Sequence, residues 1–151
     1  MDMRSQRTSS DRLQCGFTLI ELMIAVLIVG ILAAIAYPSY VGSITKSKRR
    51  AAEACLSSYA TYMERYYTTN LRYVDADGNA IDLPTLDCAS ADNTGGDYQY
   101  GFSGTPTAST YVLQAAPAGA QQSRDSACGT LTLDQTGARD NLGDAALSTC
   151  W

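Results

Sequence analysis

An apolar segment begins at Gly16-Phe17-Thr18-Leu19-Ile20-Glu21, and no charged residue follows Glu21 until Lys46. As a helix, the uncharged run from Leu22 to Thr45 would be about 36 Å long at about 1.5 Å per residue, and a bilayer's hydrocarbon core is about 30 Å thick. The run can therefore cross a membrane. A charge inside such a helix costs about 2.5 to 3.5 kcal/mol on insertion scales, so Glu21 is predicted to have a function and a partner.

Residues 1–16 form a short polar leader that contains three Arg and two Asp. An ordinary secretory signal peptide is the alternative interpretation, but its apolar region has about 7 to 15 residues and ends at a small-x-small cleavage site. The apolar run here is longer. Ala34 and Ala36 could mimic such a site, but Pro38 and a continuing helical pattern follow them. The flanks therefore disfavour an ordinary signal peptide.

The segment Gly16–Leu22 resembles the class III signal of type IV pilins and their relatives. The resemblance implies that a prepilin peptidase cuts after Gly16 and methylates the new amino terminus at Phe17. Pro38 matches the helix-kinking proline of that family. The chain departs from the family pattern at Cys15, where a basic residue is common.

Cleavage would create the cation that Glu21 needs, the amine of Phe17, at the same depth in the membrane. A neighbouring subunit can bring this amine, and in filaments of this family the glutamate is thought to meet the terminal amine of an adjacent subunit. Gly30 and Pro38 weaken the helix between them, because Gly costs about 1 kcal/mol relative to Ala and Pro removes a hydrogen bond. Relatives unwind there in a packed pilus, which suggests the same for residues 31–37.

Beyond Pro38 the pattern becomes that of an amphipathic helix. Apolar residues recur at three and four residue spacing, namely Ala52, Cys55, Leu56, Tyr59, Tyr62, Met63 and Tyr66. One helix is predicted from Phe17 to about Tyr67, ending at the poor helix formers that follow. A basic cluster lies where this helix leaves the membrane, and it consists of Lys46, Lys48, Arg49 and Arg50. This position is typical of a solvated, headgroup-level flank.

The chain has five cysteines, and loss of Cys15 with the leader would leave four. The peptidase signal places the part after the helix outside the cytoplasm, where an even set of cysteines predicts a disulfide framework with three connectivities. We expect nearest neighbours to pair, Cys55 with Cys88 and Cys128 with Cys150. The second pairing resembles the disulfide-bounded C-terminal loop of pilins. The tail from Cys128 onward resembles that of PilE-like minor pilins.

The remaining sequence predicts a small β-rich head. Strand-like patterns cover 98–102, 110–115 and 130–133, with turn residues between them, and leave room for a fourth strand. The predicted fold is therefore α+β, a type IV pilin fold in which a long N-terminal helix packs on a small antiparallel sheet. The predicted segments are a cleaved leader (1–16), a membrane-spanning and assembly half of the helix (17–45), an amphipathic half (46–70) and the head (71–151).

One cluster of oxygen-bearing side chains is a candidate for calcium: Asp75, Asp77, Asn79 and Asp82. It departs from an EF-hand, because Gly78 falls at position four instead of six and Leu86 stands where a bidentate Glu is needed. A polar turn is the better interpretation. The chain has no His, so it offers no Ser-His or Cys-His pair and no imidazole base. No nucleotide-binding motif is present. Neither enzymatic activity nor a cofactor is predicted.

The sequence therefore predicts a structural subunit of a type IV pilus, most like PilE-type minor pilins, with a role in pilus assembly, twitching motility, adhesion or DNA uptake. Expected partners are other pilins in a helical filament, prepilin peptidase, the inner-membrane assembly platform and, before assembly, membrane lipid. The head is expected in the periplasm on a single-pass anchor in a bacterial inner membrane, and later in an extracellular pilus.

Two alternatives remain. The first is a type II secretion pseudopilin, which usually lacks a C-terminal disulfide loop. The second is a DNA-binding pilin of a competence pilus, which would require one exposed stripe made of Lys48, Arg49, Arg50, Arg124 and Arg139. The charge balance opposes nonspecific DNA binding, because the chain without its leader has eight Lys/Arg against thirteen Asp/Glu.

Overall fold

The computed structural model describes residues 16–151, so the predicted leader, apart from Gly16, lies outside the described residues. The chain divides into two compact units, with the boundary between Pro38 and Ser39. This boundary differs from the predicted division at 45/46, which remains a prediction. Helix α1, Leu19–Asn70, contributes to both units.

Helix α1 begins and ends with local polar contacts. The Thr18 hydroxyl oxygen accepts a hydrogen bond from the Glu21 N–H at 3.3 Å, as an N-cap does. At the other end, the Thr69 hydroxyl donates to the carbonyl of Arg65 and the Asn70 side-chain amide donates to that of Tyr66. These bonds explain why the helix continues about one turn beyond the predicted end at Tyr67.

The first unit is the apolar part of α1. Every residue from Leu19 to Pro38 is exposed. Within the described residues, α1 is the one helix that is long and apolar enough to cross a membrane. The predicted membrane-length helix is therefore present, and its apolar side chains have no cover within the described chain.

In the second unit, one face of α1 is buried and forms the core with the sheet. The predicted apolar stripe is confirmed, although two of its tyrosines, Tyr62 and Tyr66, are only half-buried. The buried face also includes two polar residues that the pattern missed, Thr45 and Arg49. The fully buried part of the stripe consists of Ala52, Cys55, Leu56, Tyr59 and Met63.

Four strands form one antiparallel sheet in the order β1-β2-β3-β4. Their bounds are β1 Tyr98–Phe102, β2 Val112–Pro117, β3 Leu131–Asp134 and β4 Arg139–Asn141. One row of paired residues crosses the whole sheet, through Tyr100, Ala115, Leu131 and Asn141. All three predicted strands are present, and β4 is the fourth that the pattern left open.

Two local turns set the ends of these strands. The Thr107 hydroxyl oxygen accepts the N–H groups of Ser109 and Thr110, which holds Thr110 outside β2. The Asp134 carboxylate accepts the N–H groups of Thr136 and Ala138 and turns the chain from β3 into β4. The first turn thus precedes β2, and the second connects β3 to the three-residue strand β4.

Two short helices, a 3₁₀ turn and two disulfides complete the head. Helix α2 covers Gly119–Arg124, helix α3 covers Leu147–Cys150, and the 3₁₀ turn covers Asp87–Ala89. Both predicted disulfides are present. Cys55–Cys88 ties the 3₁₀ turn to α1, and Cys128–Cys150 closes the C-terminal loop.

Candidate functional site

The first turn of α1 carries the predicted assembly residues. Glu21 lies in this turn, and Phe17, a residue that is 83% exposed, lies just before it. Within the described residues, the Glu21 carboxylate takes part in no hydrogen bond or ion pair. Its position near the helix N-terminus is favourable because the exposed N–H groups there carry partial positive charge. A carboxylate that has no partner in the described chain can bind a cation from another molecule.

Two predicted weak points lie within α1. Both Gly30 and Pro38 are helical, and apart from the adjoining residues and the backbone of its own helix nothing lies within 4 Å of the place where a Cβ of residue 30 would stand. A side chain at position 30 would therefore meet open space in the isolated chain. Residues 31–37 are also helical. Unwinding of this stretch in a filament stays a prediction.

Three members of the basic cluster have acidic partners. The Lys48 ammonium is 2.6 Å from the Asp97 carboxylate, and the Arg50 guanidinium is 2.8 Å from that of Glu53. The Arg49 guanidinium binds Asp125.

The structure does not form the exposed stripe that a DNA-binding pilin would need. Arg49, which the stripe requires, is only 5% exposed. Arg124 and Arg139 are exposed, and the Arg139 guanidinium lies over the Trp151 ring at 5.0 Å from its centroid. The DNA-binding alternative therefore does not meet its test of five exposed cations in one stripe, because the fold uses Arg49 inside the head.

Arg49 belongs to a buried polar network around Asp125. The Tyr98 hydroxyl donates to the Asp125 carboxylate at 2.9 Å, and the Gln121 amide donates to it at 3.3 Å. Gln121 also donates to the backbone carbonyl of Thr45 at 3.0 Å, and Arg49 donates to that of Thr149 at 3.1 Å. The network therefore joins α1 to β1, α2 and α3.

The network changes the pKa of one of its members, Tyr98. Burial raises the pKa of the Tyr98 hydroxyl well above its ordinary value, and the negative charge of Asp125 raises it further.

Sequence analysis missed the network because it assigned Arg49 to the membrane exit. The signal was present: Thr45 and Arg49 continue the spacing of the apolar stripe from Ala52 and Leu56 toward the N-terminus.

A second polar group joins α1 to the chain that follows it and to Tyr111, the residue before β2. The Glu64 carboxylate accepts hydrogen bonds from the Tyr73 hydroxyl at 2.9 Å and from the Tyr111 hydroxyl at 3.4 Å. Burial, together with this carboxylate, raises the pKa of Tyr73 to about 12. The ring of Tyr73 also packs between those of Tyr67 and Tyr111, with centroids 4.6 and 4.7 Å away. This group fixes the chain that follows α1.

The calcium candidate is a tight turn. One Asp75 carboxylate oxygen accepts the N–H groups of Asp77 and Asn79, at 2.9 and 2.7 Å. The hydrogen bond from Asn79 is the main cause that lowers the pKa of Asp75. The structure thus places Asp75, Asp77 and Asn79 together, with the Asp75 carboxylate bound to the backbone. Among residues 16–151, no three His, Cys, Asp or Glu side chains stand where they could hold a metal ion.

Comparison with known proteins identifies the family. Residues 38–132 match the family model described as type IV minor pilin ComP, DNA uptake sequence receptor. The chain belongs to this family of minor pilins. Residues 11–37 match a second model, the prokaryotic N-terminal methylation motif, which covers Gly16, Phe17 and Glu21.

Relatives of this minor pilin include subunits of two machines. It is 45% identical over 60 residues to the type IV major pilin protein PilA of Myxococcus xanthus, an alignment that covers 40% of the minor pilin and 27% of PilA. It is 33% identical over 108 residues to the type II secretion system core protein G of Klebsiella michiganensis, covering 57% and 72% of the two chains. It thus spans about a quarter of the first relative and almost three quarters of the second.

A solved structure with a similar chain is the non-core minor pilin PilV of Neisseria meningitidis. The identity is 20% and the TM-score is 0.48, with 68% of this minor pilin and 90% of PilV covered.

Family membership gives the apolar half of α1 a context. Pilins are structural proteins that assemble with other pilins, and the methylation motif implies processing by a prepilin peptidase. The motif and the apolar helix fit a membrane-anchored protein that later becomes part of an extracellular pilus. In this minor pilin, the exposed residues 19–37 and the Glu21 carboxylate, which has no partner among residues 16–151, lie within the segment that the motif covers.

Proposed function

We propose that this chain is a minor subunit of a type IV pilus, and that Glu21 docks it onto the Phe17 amine of a neighbouring subunit. The observation that carries the proposal is the Glu21 carboxylate, which stands in an exposed apolar helix with no cation near it in the described chain. In lipid or in a filament core, such a charge requires a partner. The amine that cleavage creates is a cation of matching depth.

The subunit would pass through two states. Before assembly, α1 anchors it in the bacterial inner membrane as a single-pass protein with its head in the periplasm. The assembly platform then transfers it into the pilus, where other pilins replace lipid around the apolar half. Its function is structural, with no catalytic residue and no cofactor. The type II secretion alternative is disfavoured because Cys128–Cys150 closes a C-terminal loop that pseudopilins usually lack.

Glu21→Gln tests the docking role, because it removes the charge and nearly preserves the shape. Loss of one partner from a buried ion pair costs about 3 to 5 kcal/mol, which is at least about a hundredfold in competition with wild-type subunits. We expect the variant to be cleaved, inserted and folded normally and to be nearly absent from sheared pili. Blots of pilus and membrane fractions would measure this.

The charge-preserving variant Glu21→Asp is the matched control and should enter pili far better than the Gln variant. Mass spectrometry of the membrane form should show methylated Phe17 as the N-terminus in both variants. Wild-type abundance of the Gln variant in pili would exclude the docking role.

DNA reception is a second candidate function, because the matching family is described as a DNA uptake sequence receptor. The structure limits how it could work. The exposed basic residues without an acidic partner within 4 Å in the described chain are Lys46, Arg65, Arg72, Arg124 and Arg139. Each contact between one of these cations and a DNA phosphate should steepen the fall of log affinity with log salt concentration by about 0.9.

Titration of the full chain in detergent with a pool of random-sequence duplexes would measure this slope. If the head receives DNA, Arg139→Ala should weaken binding and lower the slope by about one. Lys48→Ala, which removes a cation already paired with Asp97, should change the slope little. An affinity that does not depend on salt, or no binding at all, would exclude DNA reception through these cations.

A further inference from the structure

Strand β1 is an edge of the sheet, and its hydrogen bonds to β2 follow the alternation of an antiparallel pair. The Ser103 N–H donates to the Val112 carbonyl at 2.8 Å, and the Ala118 N–H donates to the Asp97 carbonyl at 2.8 Å. The backbone N–H and C=O groups of residues 97, 99, 101 and 103 are therefore directed toward β2. The residues between them direct their N–H and C=O groups to the opposite side, away from the sheet.

The outward groups of β1 include two residues whose backbone is unpaired. The Tyr98 N–H donates to the Thr94 carbonyl at 2.8 Å. In residues 16–151, the N–H and C=O groups of Tyr100 and Phe102 have no such partner. Both residues are only half-buried. The edge of β1 thus presents two donors and two acceptors in the spacing of a strand.

A groove of about 400 Å³ lies beside the first part of β1 and is lined there by Tyr98, Gln99 and Tyr100, and Phe102 follows just beyond it in the strand. Its opposite wall is the extended segment 83–85, and its floor includes the rings of Tyr59 and Tyr100, whose centroids are 5.4 Å apart. The wall leaves the edge unpaired, and Pro84 in its centre has no N–H with which to pair. The groove therefore lies between the unpaired edge of β1 and a segment, 83–85, that does not pair with this edge.

The surroundings of the groove are acidic. The chain from Asp75 to Asp97 forms or flanks its wall and contains no Lys or Arg. It contains six aspartates: Asp75, Asp77, Asp82, Asp87, Asp92 and Asp97. Only the last of them has a basic partner, Lys48, among the described residues. Aromatic rings in a floor under such a rim attract Lys and Arg side chains through cation–π contacts. The residues that line the groove are uncharged, but Asp82 and Asp97 directly adjoin lining residues in the sequence, so the acidic chain beside the groove is complementary to a basic ligand.

We propose that this groove binds an extended, basic peptide segment of another protein, which adds to the sheet as a strand beside β1. Main-chain bonds to Tyr100 and Phe102 would give affinity, as in other cases of strand addition. Every second side chain of the peptide would point toward the floor, so alternating Lys or Arg would give specificity. This function goes beyond pilus assembly through Glu21, and the two can fail separately.

The test uses the full mature chain in detergent micelles and two pools of labelled hexapeptides. One pool alternates Lys or Arg with Val or Thr, and the other has Glu in place of the basic residues. Fluorescence anisotropy should show that the basic pool binds at least about tenfold more tightly, because the acidic pool meets like charges. Failure of both pools to bind, or equal binding, would overturn the proposal.

Methylated peptides identify strand addition directly. N-methylation of the alternate amides that face β1 should weaken binding about tenfold, whereas methylation of the other amides should not. Hydrogen exchange at the Tyr100 and Phe102 amides should slow when peptide binds. Equal effects of the two methylation patterns would mean that the peptide binds without pairing to β1, which would overturn the proposal.

Two variants complete the test. Thr85→Trp fills the groove from its wall and should abolish peptide binding, while Thr105→Trp, in the exposed turn after β1, is the control that should retain it. If both amides are already protected in a dimer without peptide, the edge belongs to a second copy of the chain and the peptide proposal is wrong. Sedimentation of the peptide-free protein would detect that dimer.

Discussion

Two parts of one helix, α1, differ in what surrounds them. Between Leu19 and Pro38 every side chain is exposed, although most are apolar, whereas between Thr45 and Met63 one face is buried in the head. The second part obtains its contacts from its own chain. The first part must obtain them from lipid or from other subunits, because exposed apolar surface of this extent is unfavourable in water. Changes in the two parts should therefore affect different properties of the protein.

The same difference holds for the charges on the helix. Arg49 is buried, and Asp125 neutralises it within the same chain. Glu21 has no neutralising group in the described chain. Both are single charges on otherwise apolar faces, and each requires a partner of opposite charge. The contrast teaches that a charge on the apolar face marks an internal contact in one part of α1, and it supports the intermolecular contact that we propose for Glu21 in the other.

The largest effect on the head should follow from Asp125→Ala. This change leaves the buried Arg49 guanidinium unpaired and removes the acceptor of Tyr98, so it should destabilise the head by about 3 to 5 kcal/mol. Denaturant unfolding of the full chain in detergent, followed by tyrosine and tryptophan fluorescence, would measure this.

Lys48→Met is the matched control, because it breaks the adjacent ion pair with Asp97. In this pair the Lys48 side chain is 38% exposed. Pairs of this kind contribute about 0 to 1 kcal/mol. Equal losses in the two variants would show that the buried network around Asp125 does not hold α1 in the head.

The disulfides should have the next largest effect, again confined to the second part. Their sequence separations are 33 and 22 residues, so on chain-entropy grounds each stabilises by roughly 3 to 4 kcal/mol. We expect Cys55→Ser/Cys88→Ser and Cys128→Ser/Cys150→Ser each to lower the unfolding midpoint, while membrane insertion and Phe17 processing stay normal. Thermal unfolding and mass spectrometry would report the two properties. Loss of processing in either variant would contradict the separation of the two parts.

Sequence reasoning was strongest where a pattern repeats. The apolar run follows from its length and composition, and the stripe from Ala52 to Met63 follows from spacing, because period and burial agree there. The strand at Tyr98–Phe102 follows from its aromatic content and turn flanks, although its burial does not alternate regularly. Pairing of the cysteines could not be derived from their number, and it was expected in part from the resemblance to pilins. The structure has both pairs.

Three features could not be predicted, for different physical reasons. Strand β4 is only Arg139–Asn141, three polar residues whose pairing depends on the turn at Asp134. The role of Arg49 depends on Asp125, which is distant in sequence, and a charge after an apolar run resembles a membrane flank. The unpaired edge of β1 is a property of strand order, which local patterns do not contain.

A smaller effect is expected from Gly30→Ala, which tests the first part without altering its charge. Ala stabilises a helix by about 1 kcal/mol relative to Gly, and the surroundings of position 30 leave room for the methyl group. If residues 31–37 unwind in the filament, this stabilisation opposes assembly, and incorporation into pili should fall by about fivefold. Head stability should not change. Normal or increased incorporation would contradict unwinding in that stretch.

The smallest effect is a pH dependence of the second part, which Tyr73 should cause. Its pKa in the folded chain is about 12, above the ordinary value of 10.0, because burial and the Glu64 carboxylate disfavour the tyrosinate. The stabilisation from this neutral hydroxyl is therefore complete below pH 10 and is lost as the pH rises toward 12. Tyr73→Phe cannot ionise, so its unfolding midpoint should fall less over this interval than that of the wild type. Rapid pH jumps read by tyrosinate absorbance and circular dichroism would measure ionisation and unfolding in both proteins. If the unfolding midpoints of the two proteins fall in parallel, the alkaline transition belongs to the other buried tyrosines, Tyr98 and Tyr111. Burial also raises the pKa values of these two residues. In either case the transition should spare helix α1 from Leu19 to Pro38, because no buried titratable group lies in that part of the described chain.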